Sequence, residues 1–232
     1  MSGAKAVGGA VQAARLTLLR GAALVASPWK NGGGVTREIA VAHVTSRAGA
    51  SLDAFAWRVS VADVAQAGPF SRFEGVDRTL VLLEGAGMLL DEAGRTHVLT
   101  QPLDVAHFAG ETAIDARLVN GATRDFNLMV RRDAARGTLE VWRANERRSM
   151  HAQTVLLYCA QGGQDVRVDN ERHERHVRLE TGDTLRIDTL DAKRPLHIET
   201  RGAGALLAVA LDVLDAPRQD TMETASRDAV HT

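Results

Sequence analysis

Short strand-like runs separated by turn signals constrain the fold of this chain more than any other feature of its sequence. They recur at spacings of about 8–12 residues, which is typical of a β-sandwich or β-barrel. The segment 79–87 has an echo at 154–163, and the segment 116–130 has an echo at 197–211. The offset of about 75–81 residues is too long for a solenoid repeat. The pattern therefore predicts a duplicated small antiparallel barrel with few short helices.

The repeat also suggests how the chain is divided. We expect residues 15–135 to form an N-terminal barrel and residues 136–215 to form a C-terminal barrel. The ends, 1–14 and 216–232, are expected to be disordered tails, since the first of them is built mainly of small residues.

Charge and apolar content exclude several classes of partner. Lys and Arg number 28 and Asp and Glu number 29, so the formal net charge is −1. This balance argues against a nucleic-acid-binding protein, which needs a concentrated basic surface. There is no apolar run of about 18 residues and no secretory signal pattern, so no membrane partner is predicted. We expect a cytoplasmic protein.

The one cysteine, Cys159, lies in the apolar run 155–160. A single cysteine excludes an internal disulfide framework and suits a reducing compartment. We interpret it as a buried structural thiol rather than a reactive one.

The segment 29–39 combines polar and aromatic side chains with three consecutive glycines, Gly32 to Gly34, directly ahead of a strand-like run. Glycines let backbone N–H groups approach a ligand closely and can form an anion-binding nest. After the glycines, alternation places Thr36 and Glu38 on one face of a strand. If that face points inward, a donor and a carboxylate lie side by side in a cavity. The alternative is a loose turn followed by a solvated glutamate.

Two further alternating strands carry adjacent polar side chains. In the run 55–64, Arg58 and Ser60 share a face, and Asp125 and Asn127 share a face of a later strand. Beside the Thr36 and Glu38 face they would line a cavity. The alternative is that these side chains form polar outer surfaces, which is the usual position of arginine.

Four segments together resemble the signature motifs of the HutD/Ves family: 29–39, 57–62, 68–75 and 125–132. The resemblance implies a cupin-type double barrel, association with histidine-utilisation genes and no established catalytic activity. Gly-Asp at 182–183 is also similar to the turn of cupins. The expected fold is therefore an all-β bicupin, with two small, jelly-roll-like antiparallel barrels packed together.

No metal or other cofactor is expected. Metal-binding cupins resemble one another in a His-x-His followed by Glu on the first hairpin, whereas this chain has Gly-Met-Leu at 87–89. His173 and His176 lie in a charged run, but a zinc site needs ligands from converging segments, and no partner segment is evident. The sequence also lacks a GxSxG elbow and a Walker A loop, so we assign no catalytic residue.

The expected function is binding of a small carboxylate metabolite in the N-terminal barrel, with Arg58 as the charge partner. The resemblance narrows the ligand to a histidine-degradation intermediate, such as N-formylglutamate or urocanate, and the role to regulation of that pathway. One competing hypothesis is a metal-independent hydrolase or isomerase that uses Glu38 or Asp125 as base. Another is a scaffold that dimerises through its second barrel, and a homodimer is left open. The predicted ligand-binding residues are Trp29, Asn31, Gly32, Gly33, Thr36, Glu38, Arg58, Ser60, Asp125 and Asn127.

Overall fold

A computed structural model describes residues 14–44, 55–169, 174–189 and 191–214, and these form antiparallel strands with one 3₁₀ turn at Gly21–Ala23. Within this part of the chain, no helix has both the length and the apolar character that a bilayer crossing requires. In chain order the strands are β1 (Ala14–Leu19), β2 (Ala26–Pro28), β3 (Gly34–His43), β4 (Phe55–Val64), β5 (Gly68–Pro69), β6 (Val76–Glu84), β7 (Met88–Glu92), β8 (Arg95–Leu99), β9 (Val105–Ala109), β10 (Asp115–Leu118), β11 (Thr123–Arg131), β12 (Ala135–Arg143), β13 (Arg147–Met150), β14 (Thr154–Gly162), β15 (Gln164–Asp169), β16 (Glu174–Leu179), β17 (Thr184–Thr189), β18 (Leu196–Arg201) and β19 (Gly204–Val213).

The N-terminal barrel consists of two sheets that enclose an apolar core. The larger sheet has the strand order β2-β3-β4-β11-β6-β9, and the smaller has the order β5-β10-β7-β8. Leu80 and Leu82 from the larger sheet pack against Met88 and Leu90 from the smaller one. Each strand alternates, so only every second residue contributes to this core.

The C-terminal barrel repeats this arrangement. Its sheets have the orders β1-β17-β14-β19-β12 and β13-β18-β15-β16. The run β12-β19-β14-β17 corresponds strand for strand to β4-β11-β6-β9, and the small sheets correspond in the same way. The all-β expectation is confirmed, and the shared strand order is consistent with the expected bicupin.

Strand β1 lies in the C-terminal barrel, although the boundary predicted at residue 15 assigns it to the N-terminal one. It pairs with β17 over its whole length, from Ala14 opposite Thr189 to Leu19 opposite Thr184. The physical reason is burial, because Leu16 packs against the C-terminal core. Ala14 therefore belongs to a strand, and the rest of both predicted tails lies outside the described residues.

A third apolar cluster joins the two large sheets. Trp57 and Phe126 from the N-terminal barrel are fully buried in it together with Leu156 and Leu207 from the C-terminal barrel. The rings of Phe126 and Tyr158 meet across this interface with their centroids 5.1 Å apart. The central strands β4, β11 and β6 are thus buried on most of both faces.

Replacing Phe126 with alanine is expected to lower the free energy of unfolding by about 3–5 kcal/mol, since it empties a buried site shared by both barrels. Urea unfolding followed by circular dichroism measures the change. Val98→Ala is the control, because Val98 is 60% exposed, and it should change stability by less than about 0.5 kcal/mol. Two separate transitions, of which only one shifts in Phe126→Ala, would contradict the shared core.

Candidate functional site

Polar side chains from three neighbouring strands lie on the inner face of the six-stranded sheet. Strand register places Glu38 opposite Ser60, and Ser60 opposite Asn127. Residues directly opposite each other in antiparallel strands point to the same face. Thr36 and Asp125 lie two positions from Glu38 and Asn127, so they share that face. With Arg58, two positions from Ser60, the structure therefore places six of the predicted residues on this face, of which Glu38 is exposed.

Arg78 is the cation at the centre of this group, and it is absent from the predicted set. It is only 8% exposed. Its Nη2 donates to Oδ1 of Asn127 at 2.9 Å. Its guanidinium carbon lies 5.2, 5.8 and 5.0 Å from the ring centroids of Phe70, Phe73 and Phe108. Aromatic faces attract cations, so these rings compensate for part of the hydration that the guanidinium loses.

The sequence contains only a weak signal for Arg78. Alternation along β6 puts Arg78 on the face of Leu80 and Leu82, but the opposite face carries Val81 and Leu83 and is equally apolar. Because both faces of β6 are buried, its pattern does not show which one lines a cavity.

Asp125 is fully buried, and one of its oxygens lacks a partner. Asn127 donates its side-chain amide to Oδ1, whereas Oδ2 has no hydrogen-bond partner among the described residues. Burial raises the pKa of Asp125 to about 7; Asp63 adds to this rise, and Arg78 and Asn127 oppose it. The carboxyl group therefore exchanges its proton near neutral pH.

We call Arg78, Asn127 and Asp125 the interior triad, because hydrogen bonds join them in that order. Burial lowers the pKa of Arg78 to about 10, and the like charge of Arg58 adds to this effect while Asp125 opposes it. Arg78 is still charged at neutral pH. Its Nε, like Oδ2 of Asp125, is buried without a partner in the described structure. Unmet buried polar atoms are costly, so a ligand that satisfies both would bind favourably.

Arg58, the expected charge partner, is already paired with Glu38. Its Nε donates to Oε2 of Glu38 at 2.8 Å, and this pair is more exposed than the interior triad. The two residues therefore form a partly solvated ion pair beside the triad, and Arg58 is not the buried cation that the sequence suggested.

Trp29 lies beside Thr36, at the end of the inner-face polar group that is opposite Arg58. Its indole Nε1 donates to Oγ1 of Thr36 at 2.7 Å, and the half-buried ring packs against the barrel core. The interaction fixes the rotamer of Thr36, whose hydroxyl hydrogen is left to donate elsewhere.

The glycine segment forms the turn between β2 and β3. Oδ1 of Asn31 accepts the N–H of Gly33 at 3.0 Å, and the N–H of Gly32 donates to the carbonyl of Trp29 at 3.0 Å. Gly32 has a φ of 71°, which favours glycine. The N–H groups of Gly32 and Gly33 and Oδ1 of Asn31 are thus used within the turn, and no described hydrogen bond links them to the triad.

Comparison with known proteins places the chain in a family. The family model HutD matches residues 21–208. The chain belongs to the HutD family.

Three of the similar proteins come from Pseudomonas species. The chain is 36% identical over 187 residues to an uncharacterized 21.2 kDa protein in the hutC 3′ region of Pseudomonas putida, covering 81% of this chain and 94% of the relative. A conserved protein of unknown function from Pseudomonas aeruginosa PAO1 superposes with a TM-score of 0.75 at 31% identity, covering 87% of this chain and 100% of that one. HutD from Pseudomonas fluorescens SBW25 (formate condition) gives a TM-score of 0.71 at 32% identity, with the same coverage.

We also searched the described part of this HutD-family chain for metal ligands and for a reactive thiol. There, no three His, Cys, Asp or Glu side chains cluster closely enough to hold a metal ion. His176 contacts Glu174 on an exposed strand, and His173 lies outside the described residues. Cys159 is buried, and burial raises its pKa to about 11, so its thiol stays protonated and unreactive at neutral pH.

Ionisation of Asp125 should make stability fall as pH rises. An unfolded Asp has a pKa near the ordinary 3.8, against about 7 in the folded protein. Below pH 3.8 the group is protonated in both states, and its contribution is fully present. Between these values the unfolded chain releases the proton first, so the unfolding free energy declines by a few kcal/mol. Urea titrations of the wild type from pH 4 to about 8 measure this slope.

Asp125→Asn should flatten that slope, because an amide does not ionise. Asp115→Asn, at an exposed position on β10, is the matched control and should leave the slope unchanged. Equal pH dependence in the wild type and in Asp125→Asn would contradict the assignment.

Proposed function

We propose that this HutD-family protein binds a small carboxylate metabolite inside its N-terminal barrel and thereby regulates histidine utilisation. The observation that carries the proposal is the interior triad. In it, the buried Arg78 and the carboxyl group of Asp125, whose pKa is about 7, each retain a polar atom without a hydrogen-bond partner in the described structure. A ligand that carries both an oxyanion and a hydrogen-bonding group would supply hydrogen-bond partners for Nε of Arg78 and Oδ2 of Asp125.

The charge of the interior site favours an anion. Arg58 is balanced by Glu38, and Asp125 is the carboxyl group whose charge acts on Arg78. When Asp125 is protonated, the site has a net positive charge and a carboxyl O–H that can donate to a ligand. Guanidinium groups recognise carboxylates through charge-assisted hydrogen bonds. The phenylalanine rings around Arg78 exclude water, which strengthens such bonds.

The ligand that fits the family context is an intermediate of histidine degradation, such as N-formylglutamate or urocanate. Both carry carboxylates, and N-formylglutamate adds an amide that can donate to Asp125 or Asn127. The relative in the hutC 3′ region and the similarity to HutD support this choice of pathway. In this proposal the protein acts in the cytoplasm without a metal, a nucleic acid or a membrane, alone or as a homodimer.

Isothermal titration with N-formylglutamate, urocanate, formiminoglutamate, histidine and formate tests the proposal. We expect saturable binding of N-formylglutamate or urocanate. Arg78→Gln should weaken it by at least about tenfold, because a charge-assisted hydrogen bond is lost. Arg58→Ala should weaken it less, since Arg58 lies at the more exposed edge.

Two controls make this test decisive. Arg117→Gln removes an exposed arginine on β10 and should leave the affinity unchanged. Arg78→Lys keeps the positive charge, and it replaces the glutamine variant if that variant fails to fold. Unchanged affinity in a folded Arg78 variant would refute the assignment of the interior site.

A metal-independent enzyme is the second candidate, and the pKa of Asp125 favours it. A general base acts best when its pKa lies near the working pH, and that of Asp125 is about 7. Proton NMR of each intermediate incubated with the protein distinguishes the two functions. Consumption that is abolished in Asp125→Asn supports the enzyme, and binding without consumption supports the sensor.

A further inference from the structure

A cleft of about 220 Å³ lies where the two barrels meet, on the opposite face of the six-stranded sheet from the interior site. Arg37 and Arg124, which line it, directly neighbour Thr36 and Asp125 in sequence, so alternation turns them the other way. Tyr158 from the C-terminal barrel lines it as well. We call this space the junction cleft; both barrels contribute to it.

Two arginines, each paired with a neighbouring carboxylate, line the junction cleft. Arg37 and Arg124 are the charged residues among those that line it, and the carboxylates that pair with them, Asp63 and Glu84, lie close enough to act on Tyr158. Their partner Asp63 is not among the lining residues: its Oδ2 accepts Nη1 of Arg37 at 2.5 Å, and its Oδ1 accepts Nε of Arg124 at 2.6 Å. Nη1 of Arg124 also donates to the exposed Glu84 at 3.1 Å.

These ion pairs leave donors for a ligand. Burial opposes ionisation of Asp63, but hydrogen bonds from Arg124 and Arg37 hold its pKa below the ordinary value, so it stays charged. A single carboxylate thus orients two guanidinium groups. Each guanidinium carries five N–H donors, and the contacts with Asp63 and Glu84 use only some of them.

The hydroxyl of Tyr158 gives an independent indication of a ligand. The residue is 4% exposed, and its ring packs on Phe126. No hydrogen bond to this hydroxyl is found among the described residues, and the residue lines the cleft, so the hydroxyl is open to a ligand there. Burial raises the pKa of Tyr158 to about 12. At neutral pH it is therefore a donor beside two arginines.

Close backbone contacts shape the remaining side of the cleft. A Cβ on Gly21 would lie 2.6 Å from the carbonyl oxygen of Gly182, so the connection after β1 touches the turn before β17. Asp183 stabilises this contact. Its Oδ1 accepts a hydrogen bond from the N–H of Gly21 at 3.0 Å, and its Oδ2 accepts one from Nη1 of Arg20 at 2.6 Å. The cleft is therefore bordered by an ordered, hydrogen-bonded segment.

We propose that the junction cleft is a second ligand site, which holds a small oxyanion, either a carboxylate or a phosphate, between Arg37, Arg124 and the hydroxyl of Tyr158. Its volume equals that of about seven water molecules, enough for inorganic phosphate or a short dicarboxylate. Because the site exists only in the folded chain, ligand binding stabilises that chain by mass action.

Titration calorimetry and thermal unfolding with inorganic phosphate and, separately, with succinate test this site, with sodium chloride at equal ionic strength as reference. We expect saturable binding of at least one probe, with a matching rise in Tm that the chloride reference lacks. If only phosphate binds, the oxyanion is a phosphate, and if only succinate binds, it is a carboxylate. Saturation by neither probe at millimolar concentrations overturns the proposal.

Two variants assign the binding to the cleft. Tyr158→Phe removes one hydroxyl and should weaken binding about two- to tenfold. Arg37→Gln should weaken it at least about tenfold, while Arg124 remains to neutralise Asp63. Equal affinity in the wild type and both variants overturns the proposal, and Tyr158→Phe alone decides it if Arg37→Gln does not fold.

A third variant separates this site from the interior one. Arg78→Gln should retain the junction-cleft affinity for the probe, whereas Tyr158→Phe should retain any affinity for N-formylglutamate or urocanate. Loss of probe binding in a folded Arg78→Gln would place the oxyanion in the interior site and overturn the inference.

Discussion

The apolar contact between the two large sheets controls the orientation of the functional side chains. Trp57, Val59 and Val61 on β4 are buried in this contact. Because strand side chains alternate, committing these three residues to the interface turns Arg58 and Ser60 into the N-terminal barrel. A slip of one residue would exchange the two sets and bury an arginine between the barrels. The contact that holds the barrels together therefore also fixes the interior site.

Within that framework, the burial of Arg78 costs stability in the N-terminal barrel. A charged group removed from water loses several kcal/mol of hydration unless its surroundings replace it. Phenylalanine rings and Asn127 replace part of the lost hydration of Arg78. Asp125 compensates its charge only partly, because this carboxyl group is only partly ionised near neutral pH. A structural core would be more stable with an apolar side chain at this position. The unmet atoms of the triad are what a bound carboxylate would satisfy, and this supports the proposed binding function.

One carboxylate outside the barrel also affects the triad. Asp63 holds Arg37 and Arg124 at the junction cleft, and its negative charge contributes to the raised pKa of Asp125 on the other face of the sheet. The interior site and the junction cleft are separated only by the thickness of this sheet. A change in the charge balance around Asp63 would therefore alter how readily Asp125 binds a proton.

The sequence by itself indicated the all-β fold, the internal repeat and the shared face of Thr36 with Glu38, since alternation and repetition can be read along the chain. Only the tertiary structure decided which buried face of β6 carries Arg78, since both faces are apolar. It also placed β1 in the C-terminal barrel and brought Tyr158 to two arginines of the other barrel. Those arrangements depend on contacts between segments far apart in the chain, and no local pattern encodes which distant surfaces meet.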